Sequence, residues 1–150
     1  MKLAYEIDCD LLQRLAKFYG GLFGIPPLAA KIYATLLFDF EKKGISFDEL
    51  VELFSASKSS ISTNVNLLLR EHLIRDVNKM DQRKRYFVFN DDYIKFRFEI
   101  IIAMMKEELK ILDDLSDFKN KEIDPESKFE IYKNLLKGNI NNIQDTLNKL

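Results

Sequence analysis

The chain has 150 residues, 47% of them hydrophobic, and a formal net charge of −1, which is one domain's length with ample apolar content for a core. Its single cysteine, Cys9, excludes an intramolecular disulfide or a cysteine-based zinc cluster, and the only histidine, His72, has no second ligand near it in sequence, so no metal and no cofactor are expected. No run approaches about 18 uninterrupted apolar residues and the N-terminus lacks a basic-then-apolar signal pattern, so the expected setting is cytoplasmic.

In chain order, Ile7, Leu11, Leu15, Phe18 and Leu22 recur at helical spacing and predict a first amphipathic helix. Gly20, Gly21, Gly24, Pro26 and Pro27 are expected to end it and start the next, because glycine tolerates the turn and proline is favoured at a helix's first positions. The second helix should present Leu28, Ile32, Leu36 and Phe40 on one side. Next, Ser46 and Glu49 have the spacing of a capping box, and Phe47, Leu50, Val51 and Phe54 give the helix that follows one apolar face. Ser55, Ala56 and Ser57 make a turn, with Ser57 a good N-cap for KSSISTNVNLLLREH.

In that fourth helix Ile61, Val65, Leu68 and His72 fall in a narrow arc at about 100° per residue, which should pack inward. Ser59, Thr63, Asn66 and Arg70 centre the opposite face, flanked by Ser60, Ser62 and Asn64. Short donors and acceptors of this kind let a helix sit close in a major groove. A solvated amphipathic helix is the competing reading, since Ser, Thr and Asn are weak helix formers that occur on many surfaces. Leu73, Ile74, Asp76 and Val77 then suit a short strand, and Tyr86, Phe87, Val88 and Phe89 suit its partner. The polar tip between them holds Lys79, Gln82, Arg83, Lys84 and Arg85, as a wing on a phosphate backbone requires; a solvated hairpin is the alternative. Between residues 55 and 86, seven basic side chains face three acids, a local charge of +4 that leaves −5 for the remainder.

After the hairpin, Asp91 or Asp92 can cap a long helix running to about Phe118, and its segment RFEIIIAMMKEEL is apolar on more than one side. A helix hydrophobic nearly all round wants a second partner, either another subunit in a twofold contact or the chain's own terminal helices. The acidic stretch from Asp113 to Ser127, with Pro125, reads as a bend. The last helix carries Phe129, Tyr132, Leu136, Ile140, Ile143, Leu147 and Leu150 at nearly coiled-coil spacing. The subunit contact is therefore expected at Leu11, Leu15, Phe98, Ile101, Ile102, Met105, Leu136, Ile140, Ile143 and Leu147.

With the approach helix GIPPLAAKIYATLLF at 24–38, the SFDEL and SKSSIS pair and the RKRYFVF strand in view, the chain resembles the MarR family of bacterial transcriptional regulators, its GbsR-like branch in particular. The resemblance implies a mainly α fold with a small β-hairpin: a single-domain regulator over 1–150, with a winged helix-turn-helix DNA-binding region at 26–90 and helical dimerisation regions at 1–25 and 91–150. It implies a homodimer on a palindromic operator in double-stranded DNA, acting as a repressor. By resemblance Ser57, Lys58, Ser59, Ser60, Ser62, Thr63 and Asn64 lie at or near the groove, and Lys79, Gln82, Arg83 and Lys84 belong to the wing. Arg85 is expected to turn back toward an acid, as wing-root bases do in such proteins. His72 stands where many relatives close the recognition helix with glycine.

The family also implies a small-molecule effector: an osmolyte-related compound such as choline in the GbsR-like branch, hydrophobic or aromatic compounds elsewhere. Phe18, Tyr19, Phe23, Tyr93 and Phe96 could supply an aromatic pocket for a cation; ordinary core aromatics are the bland reading. Cys9 is either a redox thiol, by family analogy, or an inert surface cysteine. A winged helix serving only protein–protein interaction is the functional alternative, and it would need no basic wing tip. An enzyme is not expected, for there is no Gly-rich phosphate loop and no Ser/His/Asp set around the one histidine.

Overall fold

The computed structural model describes residues 5–80, 83–119 and 124–150. These divide into two units, Met1–Asn90 and Asp91–Leu150. The first holds α1 (Cys9–Phe23), α2 (Pro27–Leu37), β1 (Ile45–Ser46), α3 (Phe47–Phe54), α4 (Lys58–Arg70), β2 (Ile74–Val77) and β3 (Tyr86–Phe89); the second holds α5 (Asp92–Lys119) and α6 (Lys128–Leu147).

α1 starts at an Asp8 cap, whose carboxylate accepts from the Leu11 N–H at 2.9 Å, and it runs on through Gly20 and Gly21 to Phe23. Of the residues expected to end α1 and start α2, Gly20 and Gly21 lie inside the helix, while Gly24 ends it as a left-handed cap (φ 63°). A Cβ at Gly20 would lie 3.3 Å from the Ala30 Cβ, so the small residue serves close packing of α1 on α2. Ala16, Ala30 and Ala34 form that contact, with Leu12, Leu15 and Ile25 against it. Pro27 opens α2, which is buried over most of its circumference, including Ala29, Ile32, Tyr33, Thr35 and Leu36. Phe40 lies beyond the end of α2 and is 86% exposed, so it does not continue the Leu28, Ile32, Leu36 face.

Asp39, itself buried, accepts from the Lys43 and Gly44 N–H groups at 2.9 and 2.8 Å and closes the loop into β1. Gly44 has φ +84°, and a Cβ there would press within 3.1 Å of the Tyr86 Cβ, so both backbone and space require glycine. The sheet has the order β1-β3-β2 and is antiparallel throughout, pairing Ile45 with Phe87 and Ser46 with Tyr86 on one side of β3, and Ile74 with Phe89 and Val77 with Tyr86 on the other. The predicted hairpin is therefore the outer two-thirds of a sheet whose two-residue first strand is too short to leave a periodic signal.

In the second unit, Ile102, Ile140 and Leu147 form a core with Phe98, Met105, Leu109 and Ile143 packed against it. α5 runs to Lys119, as the expected end near Phe118 has it, so the stretch from Asp113 to that end belongs to the helix and not to the bend. Lys133 is buried on α6, with its ammonium 2.5 Å from the Asp113 carboxylate on α5 and 3.8 Å from Glu130. Tyr132 donates to Glu108 at 2.6 Å. These two contacts pin α6 to α5 beside the apolar core. No helix among the described residues is long and apolar enough to cross a membrane.

Candidate nucleic-acid interface

The interface is assembled from two caps, one helix and one hairpin. At the start of α3 the Ser46 hydroxyl accepts from the Glu49 N–H at 3.1 Å, while the Glu49 carboxylate accepts from the Ser46 N–H at 3.4 Å, the reciprocal pair expected from their spacing. α3 ends at Ser55 in the left-handed region (φ 48°), which turns the chain sharply into α4. Ser57 then caps α4, its hydroxyl accepting from the Ser60 N–H at 3.1 Å. Each cap satisfies helix-end N–H groups that would otherwise lack partners.

α4 divides cleanly into two sides. Ile61, Val65 and Leu68 are fully buried, as their spacing predicts. His72 departs from that arc: α4 ends at Arg70, and His72 is exposed with φ +59°. It takes the left-handed turn that glycine makes without strain, and its carbonyl accepts from the Asn90 amide at 2.9 Å. The turn survives without glycine because this bond, together with Leu73 N–H donating to Leu68 at 3.0 Å, holds it from both ends.

On the other side Ser57, Lys58, Ser59, Ser60 and Thr63 are exposed and Ser62 and Asn64 half-buried. Their donors are partly spoken for: the Thr63 hydroxyl donates to the Ser59 carbonyl at 2.9 Å, and the Asn64 amide to the Ser60 carbonyl at 2.8 Å. Asn66 and Arg70 are exposed on the same stripe, one and two turns further along. They fall on the outward face of the helical wheel but outside the motif from which the groove residues are expected, and that is why the motif alone passes over them.

The wing root is fixed by charge and by ring faces. Arg85 donates to Asp76 across the strands at 2.9 Å and lies over the Phe87 ring, turning back as expected. The Lys79 ammonium sits 4.1 Å above the Tyr86 ring centroid, so its stem is folded along the hairpin. Arg83 and Lys84 are exposed, with no acid partner among the described residues. Gln82 lies outside the described residues. Arg83 and Lys84 thus add positive charge to the hairpin that no acid among the described residues pairs.

The remaining candidate residues fall elsewhere. Tyr19 and Phe23 stack at 5.4 Å and each meets Tyr33 edge-on, at 5.2 and 5.6 Å, while Phe18 is largely exposed. The rings between α1 and α2 therefore pack on one another. In the other unit Tyr93 and Phe96 lie 6.4 Å apart. Of the expected subunit-contact residues, Ile102, Leu136, Ile140 and Leu147 are buried within the α5–α6 unit, Phe98, Met105 and Ile143 pack against its core, Ile101 and Leu15 are half-buried, and Leu11 is exposed. Cys9 is exposed at the start of α1.

No protein-family model and no curated protein matches the chain. Solved structures do match. One, described as a transcriptional regulator, superposes with a TM-score of 0.54 at 20% sequence identity, covering 93% of this chain and 95% of that one. Staphylococcus aureus MepR, a transcription regulator of the multidrug efflux pump MepA, follows at a TM-score of 0.45 and 15% identity, over 92% of this chain and 90% of its own. A structure of MarR gives 0.40 and 16%, over 92% and 90%. The first likeness shows the fold: a mainly helical winged helix-turn-helix with a small antiparallel sheet and long helical flanks.

Proposed function

We propose that this protein is a sequence-specific, DNA-binding transcriptional regulator of the MarR type, acting as a homodimeric repressor on a palindromic operator. The observation that carries the reading is the pairing, on one unit, of an exposed polar face on a capped α4 with a wing whose Arg83 and Lys84 lack acid partners among the described residues. The helix supplies groups small enough to approach base edges, and the wing supplies cations for phosphates. The GbsR-like branch is supported by the quoted sequence motifs alone.

The homodimer is supported by apolar surface that the chain leaves uncovered. Along α5, Ile100, Met104, Ile111, Leu115 and Phe118 are exposed at helical spacing, as are Ile131 and Leu135 on α6. Contiguous apolar exposure of this kind marks an interaction surface, and a twofold contact is the commonest way to cover it. The proposed contact therefore moves to these outward residues from those expected in the sequence, of which Ile102, Leu136, Ile140 and Leu147 are already buried within the α5–α6 unit.

The test is a fluorescence-anisotropy titration of the full chain against the duplex upstream of its own coding sequence, at several salt concentrations. Replacing both Arg83 and Lys84 by Ala should weaken binding to every duplex and flatten the salt dependence by about two phosphate contacts' worth of slope. A wild-type affinity that does not respond to salt contradicts the proposal.

A further inference from the structure

The outward stripe of α4 has an unusual inventory for a helix meant to read DNA. Running Ser59, Thr63, Asn66, Arg70, it has no arginine or lysine and no carboxylate in its middle; Lys58 stands in the first turn and Arg70 is the final residue. In the major groove, guanine is read mainly by Arg or Lys at O6 and N7, cytosine N4 by a carboxylate, adenine N6 and N7 by the two-pronged amide of Asn or Gln, and the thymine methyl by small apolar groups. The centre of this stripe holds base-specific readers for adenine and thymine and none for guanine or cytosine, its hydroxyls being able to meet any base.

The hydrogen bonds sharpen this assignment to two residues. Asn64 has its amide bound to the Ser60 carbonyl at 2.8 Å and is half-buried. Asn66 is exposed and its amide has only a 3.5 Å approach to the Ser62 hydroxyl, so both prongs can turn to a base. The Thr63 hydroxyl gives its proton to the Ser59 carbonyl at 2.9 Å, so it has no donor for a base and its methyl is the group that can single out thymine. Three residues of helix separate them by about 4.5 Å along the axis, between one and two steps of a duplex rising about 3.4 Å per base pair.

We infer that α4 reads an A·T pair under Asn66 and a second, neighbouring A·T pair under the Thr63 methyl, so that each operator half-site is A·T at its centre, with Lys58 and Arg70 bracketing it on phosphates. This rests on the DNA-binding reading above and names the class of sequence that such a site accepts.

The experiment is selection of the full chain on a pool of random duplexes, followed by titration of the enriched site and of versions with each central A·T pair changed to G·C. Enriched half-sites should carry two A·T pairs within two steps of each other, and either change to G·C should weaken binding about tenfold. Asn66→Ala should lose the discrimination at one of the two positions, and Asn66→Arg should move the preference there to guanine; melting curves establish that both variants fold. Enriched sites with G·C at the half-site centre, or an Asn66→Ala protein that still discriminates at both positions, overturn the inference while leaving DNA binding intact. Absence of any enrichment together with salt-independent affinity overturns the inference and the DNA-binding reading alike.

Discussion

Leu68 on α4 and Leu135 on α6 are the same side chain on two amphipathic helices, yet Leu68 is fully buried and Leu135 is 57% exposed. The contrast extends to the units they belong to. In the first, α2 is enclosed by its neighbours and β3 sits between two strands, so large apolar side chains such as Phe87, Ile32 and Leu50 reach full burial within one chain. In the second, two long helices share one seam, and Met104, Ile111 and Phe118 remain outside it. Two helices cannot enclose a helix that is apolar on two sides. The first unit thus presents a finished surface that is polar on α4 and basic at the wing, and the second presents an unfinished one, the face that the proposed homodimer would cover.

The sharpest way to break this comparison is to truncate both leucines. Leu68→Ala should cost about 2–5 kcal/mol, read from the denaturation midpoint, whereas Leu135→Ala should shift the stability of the chain's own fold by no more than about 0.5 kcal/mol. Equal losses would mean that Leu135 is as enclosed as Leu68. Next in size, Ile111→Glu places a charge in the middle of the α5 stripe and should cost the association of two copies roughly 2 kcal/mol or more. Sedimentation velocity would show a dimer for the wild type and a monomer for the variant at the same concentration; an unchanged distribution would remove α5 from the contact.

Smaller effects probe the turns and pairs that hold each unit. His72 occupies a left-handed conformation that costs a non-glycine residue roughly 1–2 kcal/mol, so His72→Gly should stabilise by about 0.5–1 kcal/mol once glycine's greater unfolded freedom is subtracted. A lower melting temperature would show that the imidazole contributes more than the turn loses. In the second unit, the hydrogen bond from Lys133 holds the Asp113 carboxyl below the usual carboxylate range, and the same bond raises Lys133. Asp113 therefore contributes stability that is complete above its ordinary value and lost as pH falls through its lowered one. Lys133 contributes stability that is complete below the ordinary lysine value and lost as pH rises through its raised one. The melting-temperature gap between wild type and Asp113→Asn should be widest near neutrality and narrow toward acid; a constant gap would mean the pair carries no linked proton.

What could be read in the sequence depended on how local the cause was. The Ser46–Glu49 box, the Ser57 cap and the inward arc of Ile61, Val65 and Leu68 are set by neighbours in sequence, and each is found as its spacing predicts. Gly20 misled because what decides it is the approach of Ala30 from another helix, which overrides glycine's weak helix propensity, whereas Gly21 has open space around it and no such contact explains its place in the helix. The acidic run from Asp113 misled in a similar way by reading as a bend, against the helix to about Phe118 that the spacing predicts, since Lys133 on α6 gives the Asp113 carboxylate a partner inside the helix pair. Within the candidate interface, the wheel put Asn66 and Arg70 on the outward side of α4, but only the hydrogen bonds separate the Asn64 amide, bound to Ser60 at 2.8 Å, from the Asn66 amide, at 3.5 Å from Ser62.

The central claim is that the polar side of α4 and the basic wing work together on duplex DNA. It is tested most directly by the salt dependence of affinity for the upstream duplex, compared between wild type and the protein with Arg83 and Lys84 both replaced by Ala. The account predicts a steep linear fall of log affinity with log salt for the wild type and a slope shallower by nearly two in the variant. Identical slopes for the two proteins would contradict it.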